Sequence, residues 1–161
     1  RMVRKSGVNI LNVPEGVIIK PLTYFEDSRG HLSELFRTDE LPYKFLCPEM
    51  GYISFTHPGI SRGPHEHVDQ SDLFVFLDGK YELRLWENRE GYEKINVIIE
   101  VGKENPVSVI VPPGVVHGYK NVGESDAYVL NFPNKLYAGW DKKYEVDEIR
   151  HEEIDSEFKM E

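Results

Sequence analysis

Apolar and polar residues alternate along much of this chain with a period of two, the pattern of strands that bury one face and wet the other. It is clearest in Lys80-Tyr-Glu-Leu-Arg-Leu-Trp86, where Tyr81, Leu83 and Leu85 share one face while Glu82 and Arg84 share the other. Eight runs rich in β-branched and aromatic residues, bounded by Gly, Pro, Asn or Asp, predict strands over 17–25, 31–37, 51–56, 72–77, 80–86, 95–101, 107–111 and 126–132. The Asp78-Gly79 pair predicts a tight hairpin turn joining two antiparallel strands, because Gly accepts positive φ at little cost. No internal repeat or linker interrupts the series, and the strongly charged last fifteen residues predict a short helix or a loose tail. The expectation is one all-β domain, 1–161, built as a barrel or sandwich.

Composition narrows the function classes. A chain of 161 residues can bury a sizeable core without a disulfide or metal, and the single Cys47 has no intrachain partner. Neither a cleavable apolar leader nor a membrane-length apolar run occurs in the sequence, which predicts a soluble cytoplasmic protein. The net charge of −9 argues against nucleic acid and anionic membranes as partners. An anionic ligand would have to be met by a local basic pocket.

Two stretches carry candidate chemistry: Gly59-Ile-Ser-Arg-Gly-Pro-His65-Glu-His67-Val-Asp-Gln-Ser-Asp72, closed by Gly79, and Pro112-Pro-Gly114-Val-Val-His117-Gly-Tyr-Lys-Asn121. His65 and His67 are two apart, so on a strand they leave the same face, and His117 follows a Pro-Pro-Gly turn on a later strand. A lone strand histidine is more often a hydrogen-bonded structural residue, and His31, His57 and His151 are read that way. Three imidazoles gathered into one enclosure differ, because each buried polar group without a partner costs roughly 1–3 kcal/mol.

The spacing of these residues resembles the two signature motifs of the cupin superfamily, with Gly59, His65, His67, Asp72 and Gly79 matching the first and Pro112, Gly114, His117 and Asn121 the second. That resemblance implies a cupin-type double-stranded β-helix, or jelly roll, with a short charged C-terminal tail. A narrower resemblance, to dTDP-4-dehydrorhamnose 3,5-epimerases, rests on Asp27-Ser-Arg29-Gly-His-Leu-Ser-Glu34, Arg62-Gly-Pro-His65 and Pro113-Gly-Val-Val-His117-Gly-Tyr119. It implies a homodimeric isomerase of nucleotide-sugar and polysaccharide biosynthesis that epimerises a dTDP-4-keto-6-deoxyhexose next to its ketone and needs no cofactor. Carried over residue by residue, His65 is the general base and Tyr137 the acid, with Tyr128 and Tyr144 as alternatives under a small shift. Arg29 and Glu34 then face the nucleotide and Arg62 its phosphates, while His67, Asp72, His117 and Tyr119 are pocket residues. Proton removal beside a ketone needs a base of near-neutral pKa and a donor on the other face, and Arg recognises a diphosphate through its planar fork.

The chain also departs from that pattern. His67 stands where the family has Gln, Asp72 stands where it has Lys, and its acidic Ser-x-Lys-Asp segment is absent. A carboxylate at Asp72 opposes an enolate unless it is protonated or binds something else. These changes support a rival reading in which His65, His67, Asp72 and His117 hold a divalent transition metal. Against it, Asp72 shares a face with Phe74 and Phe76 and is one methylene shorter than the usual Glu, so its reach falls short of an ion. A third reading is a non-catalytic nucleotide-sugar binding module.

Overall fold

The computed structural model describes residues 2–5, 12–42, 45 and 47–161. Its strands run β1 (Met2–Lys5), β2 (Ile18–Pro21), β3 (Thr23–Asp27), β4 (Gly30–Leu32), β5 (Tyr52–Thr56), β6 (Ser61–Glu66), β7 (Asp72–Phe76), β8 (Lys80–Glu87), β9 (Asn96–Gly102), β10 (Val107–Val111), β11 (Val115–Asn121), β12 (Ala127–Asn131) and β13 (Ile149–Arg150). Two five-stranded sheets, ordered β2-β10-β7-β12-β5 and β13-β6-β11-β8-β9, are accompanied by a three-stranded sheet β1-β3-β4. Every pairing is antiparallel. The two larger sheets pack face to face as the expected jelly roll.

Inward residues of both large sheets form the main core. Phe74, Phe76, Val107 and Val109 from one sheet meet Tyr81, Leu83, Leu85, Val101 and Tyr119 from the other. The alternation read in 80–86 therefore faces as predicted. Strands β7 and β10 are buried at all five positions, because a second cluster of Leu22, Tyr24, Phe45, Leu73, Val75 and Ile110 covers the outer face of their sheet. Burial on both faces is why Leu73 to Phe76 reads as a continuous apolar run with no alternation.

Three sequence expectations need correction. The run 17–25 is two strands, since the chain leaves one sheet after Pro21 and Leu22 turns its N–H to the Pro106 carbonyl. The run 31–37 pairs only through Leu32, and beyond it Leu35 and Phe36 pack onto the outer cluster without joining a ladder. The turn at Asp78-Gly79 is no hairpin: β7 and β8 lie in different sheets, so it is the corner by which the chain crosses the sandwich. Gly79 is nonetheless required there, with φ of 64° and a would-be Cβ 2.4 Å from that of Ala127.

The charged C-terminal segment is neither a helix nor loose. It forms β13 on β6, then a short 3-10 turn over His151–Glu153, and then docks against the outer face of the sheet. Glu66 points outward from β6 into a buried network, accepting from Asn88 Nδ2 at 2.8 Å and His151 Nε2 at 2.9 Å. His151 Nδ1 meets Ser156 Oγ at 2.7 Å, and Phe158 packs on Trp86 and His151. Farther on, Arg84 donates to the Lys159 carbonyl. His151, read as ordinary, is the latch of this strap.

Candidate functional site

At one end of the sandwich a cavity of about 230 Å³ opens between the sheets, lined by Met50, Tyr52, His65, His67, Gln70, Pro133, Leu136, Tyr137, Ala138, Val146, Asp147, Glu148 and Arg150. The first motif stretch supplies part of its polar wall, His65 from β6 and His67 and Gln70 beyond it, and His117 on β11 packs behind these rings. Gly63 lets these strands approach closely, since a Cβ there would lie 2.7 Å from the His117 carbonyl oxygen. The register sets His65 opposite His117, with their rings edge to face at 4.6 Å between centroids. His67 sits one residue past the end of β6 and still turns inward, 5.8 Å from His117 between centroids.

Asp72 opens β7 on the facing sheet and lies beneath these rings, 1% exposed. Its Oδ2 accepts from His67 Nε2 at 3.0 Å and from His117 Nε2 at 3.1 Å. Its Oδ1 accepts from Gln70 Nε2 at 2.9 Å and from Asn131 Nδ2 at 3.1 Å. Four donors account for the lone pairs of an ionised carboxylate. Although burial works to raise the Asp72 pKa, the hydrogen bonds from His117 and His67 hold it well below the usual carboxylate range. Although its side chain is one methylene shorter than the Glu of the motif, Asp72 thus reaches the Nε2 atoms of two of the three imidazoles. Its parity with Phe74 and Phe76 was read properly, but the core face of β7 becomes the site face at the end of the sandwich, where the Phe74 ring itself touches His117.

The other nitrogens of these rings face backbone carbonyls. His67 Nδ1 bonds to the Asp147 carbonyl, and His117 Nδ1 lies 2.9 Å from that of Val115. Burial opposes a charge on His67, but Asp72 and the Asp147 carbonyl outweigh it and lift the pKa to about 9, so His67 is an imidazolium in the metal-free protein. Asp72 is therefore the counter-ion of His67, and this pairing takes up the charge that would otherwise oppose an enolate. A folded-state pKa raised above the ordinary 6.5 gives stability that is complete below 6.5 and lost as pH rises through about 9. For this buried group the effect is on the order of 3 kcal/mol. Melting curves of metal-stripped protein are expected to show that loss between pH 7 and 10 beyond any shared with a His67→Gln variant; parallel slopes in the two proteins count against it.

His65 differs. Burial first, and the neighbouring His117 next, push its pKa well below the usual imidazole value, so it is neutral with a lone pair available. Glu148 Oε1 stands 3.9 Å from His65 Nδ1 and is itself held by Arg150 Nε at 2.8 Å. The strap is thus part of the site. Its Asp147 carboxylate accepts the backbone N–H groups of Val68, Asp69 and Gln70 at 2.7 to 2.9 Å, fixing the turn between His67 and Asp72.

Of the residues singled out from sequence, the structure gathers His65, His67, Asp72 and His117, whose ligand atoms all lie within 4.8 Å of one another. Tyr137 stands half-exposed at the cavity rim. Arg62 does not line the cavity; it donates to Thr56 Oγ1 at 2.9 Å and to the Phe55 carbonyl at 2.6 Å. Tyr119 is core, 3% exposed with its hydroxyl on Ser54 Oγ, because β11 turns its odd positions toward Phe74 and Phe76. Arg29 and Glu34 also lie outside the cavity, the first paired with Asp27 on the exposed β3–β4 turn and the second 3.8 Å from Arg37.

Sequence reasoning missed Tyr52, Gln70, Asn131, Asp147, Glu148 and Arg150. For Tyr52 a signal existed. Strand β5 carries Tyr52, Ser54 and Thr56 at one parity and Ile53 and Phe55 at the other; the second set is 50% and 62% exposed, while the first runs from 44% exposed at Tyr52, on the cavity lining, to 2% at Thr56. A strand whose polar face turns inward marks a site. The tyrosine hydroxyl accepts from Asn131 Nδ2 at 3.0 Å, and burial, reinforced by the charge of Asp72, pushes the phenol pKa up.

Residues 25–143 match the family described as polysaccharide biosynthesis C-terminal domain. The chain is 33% identical over 125 residues to a probable low-salt glycan biosynthesis epimerase, Agl13, of Haloferax volcanii, covering 75% of this chain and 79% of that protein. It superposes on a dTDP sugar isomerase of Desulfovibrio desulfuricans with a TM-score of 0.75 at 21% identity, over 88% of this chain and 87% of the other. A dTDP-4-dehydrorhamnose 3,5-epimerase of Elizabethkingia anophelis gives 0.68 at 22% identity, over 92% and 79%. No helix among the described residues is long and apolar enough to cross a membrane.

Proposed function

The chain belongs to the polysaccharide biosynthesis C-terminal domain family, and on that footing we propose that it epimerises or isomerises a dTDP-4-keto-sugar by removing and returning a proton next to the ketone. The observation that carries this reading is the contrast between two neighbouring imidazoles. His65 is held neutral at the cavity wall while His67 is held as a cation against Asp72. A neutral His65 takes the proton, and Glu148 beside its Nδ1 steadies the imidazolium that forms, while the pairing of Asp72 with His67 leaves no unpaired carboxylate there to oppose the enolate. Among the lining residues, a phenol supplies the returning proton, and two are present, Tyr52 and Tyr137.

At about 230 Å³ the cavity is smaller than the roughly 300–1,000 Å³ of sites that enclose a drug-sized ligand, so it takes the sugar ring and leaves the nucleotide at the surface. A homodimer is part of the proposal. Strand β5 is a sheet edge that exposes Ile53 and Phe55, apolar surface suited to a second copy. Arg29 and Glu34, remote from this chain's own cavity, then meet a nucleotide only from across that assembly. In D2O, the protein is expected to incorporate deuterium beside the ketone of dTDP-4-keto-6-deoxyglucose, read by NMR. A substrate recovered without deuterium counts against the reading.

One observation favours a second reading, a metal-dependent cupin. His67 and His117 each spend Nδ1 on a backbone carbonyl and turn Nε2 toward Asp72, the orientation that metal-ligating imidazoles adopt. The residues therefore fit a divalent ion held by His65, His67, Asp72 and His117. Such an ion would polarise the ketone as a Lewis acid, and Tyr52 and Glu148 would keep the places described above.

A further inference from the structure

We propose that Tyr52, and not Tyr137, is the catalytic acid that delivers a proton to the face of the sugar opposite His65; this rests on the epimerase reading. Inversion at carbon needs the base and the acid on opposite faces of the ring. The topology supplies that relation, because His65 stands on β6 of one large sheet and Tyr52 on β5 of the other, with the cavity between them.

The hydroxyl of Tyr52 is oriented by a chain of hydrogen bonds that begins at Asp72. An ionised carboxylate only accepts, so Asp72 Oδ1 fixes which end of the Asn131 side chain faces it: the amide nitrogen, at 3.1 Å. The same nitrogen reaches the Tyr52 oxygen at 3.0 Å with its second hydrogen. Asn131 is 1% exposed, and both of its side-chain hydrogen bonds are made by Nδ2 while Oδ1 is left without a partner among the described residues. The phenol oxygen thus accepts from behind, and its own proton is left for the cavity. The two phenols are similarly exposed, 44% at Tyr52 and 51% at Tyr137, but among the described residues no side-chain hydrogen bond orients the Tyr137 hydroxyl; that residue sits on the segment after β12 with its backbone N–H on Met50 Sδ. Its place is at the rim of the cavity.

The step balances without a co-reactant. His65 takes the proton as the C–H bond breaks, and its electron pair passes into the enolate. The enolate carbon then takes the Tyr52 proton as the new C–H bond forms and the inverted ketone returns. The imidazolium loses its proton to solvent at the cavity mouth, and the phenolate takes one back.

The test compares Tyr52→Phe and Tyr137→Phe with wild type in D2O on dTDP-4-keto-6-deoxyglucose, scoring deuterium in recovered substrate separately from inverted product. Loss of the acid alone leaves His65 free to exchange and return a proton on its own face. Tyr52→Phe is therefore expected to keep exchange into substrate while inverted product falls by about 10²-fold or more. Tyr137→Phe is expected to raise KM and keep the wild-type ratio of product to exchange. A wild-type ratio in Tyr52→Phe, or a collapse of the ratio in Tyr137→Phe alone, overturns the assignment while leaving the epimerase reading intact. Absence of any exchange in wild type overturns the reading and this assignment with it. Phenylalanine at 52 removes one hydroxyl from a partly exposed strand residue, and near-UV circular dichroism identical to wild type confirms the folded state.

Discussion

A His65→Asn protein is expected to exchange deuterium into the keto sugar about 10³-fold more slowly than wild type while binding dTDP with unchanged affinity. Three features give this its size. His65 is the imidazole of the cluster whose lone pair is kept free by a lowered pKa, since His67 is protonated and His117 is committed to Val115 and Asp72. Asparagine at 65 has no basic nitrogen at neutral pH, so general-base catalysis is lost outright. In the proposed placement the cavity takes the sugar and the nucleotide lies outside it, so ground-state affinity has no reason to fall. A variant that weakens dTDP binding tenfold but exchanges at the wild-type rate would place His65 in recognition and remove it from chemistry.

The second large effect is on stability. Asp72→Ala strips one acceptor from four donors, His67, His117, Gln70 and Asn131, and leaves the His67 imidazolium buried without its counter-ion. Breaking one side of a buried pair costs about 3–5 kcal/mol. For a chain of this size that lowers Tm by roughly 10 °C at pH 7. The deficit is expected to shrink toward pH 10, because wild-type His67 gives up its proton as pH passes about 9 and loses the same interaction. Thermal melts of metal-stripped wild type and variant at the two pH values check both statements. A Tm within 2 °C of wild type at pH 7 would mean the carboxylate is not the hub that its four contacts describe.

The fold was legible because alternation and turn residues are local signals. Tyr81, Leu83 and Leu85 point where parity said they would, and β6 and β11 bring the histidines together as their spacing implied. What failed depended on which sheet a strand joins. Gly79 announces a turn in either case, and only the partners of β7 and β8 distinguish a hairpin from a corner. Tyr119 shows the same limit: it is one of the best motif matches, yet the Ser54 hydroxyl and the Phe74 and Phe76 rings claim it for the core. The strap was illegible for another reason. Asp147, Glu148 and Arg150 lie in a run of charges that reads as a solvated tail, and it is a two-residue pairing with Glu66 and His65, together with the bonds of Asp147 to the 67–70 turn, that brings them to the cavity. The missing acidic partner of the base was sought in a motif, while the structure offers Glu148, from a different place in the chain.

In the proposed reaction His65 works as a base on a keto sugar without help from an ion. The most direct test is deuterium exchange into dTDP-4-keto-6-deoxyglucose by one preparation measured before and after metal stripping, with its metal content determined alongside. Exchange is expected to survive stripping and to be lost in His65→Asn. Exchange that vanishes on stripping and returns with zinc or manganese would contradict this and assign the His65, His67, Asp72 and His117 cluster to a metal.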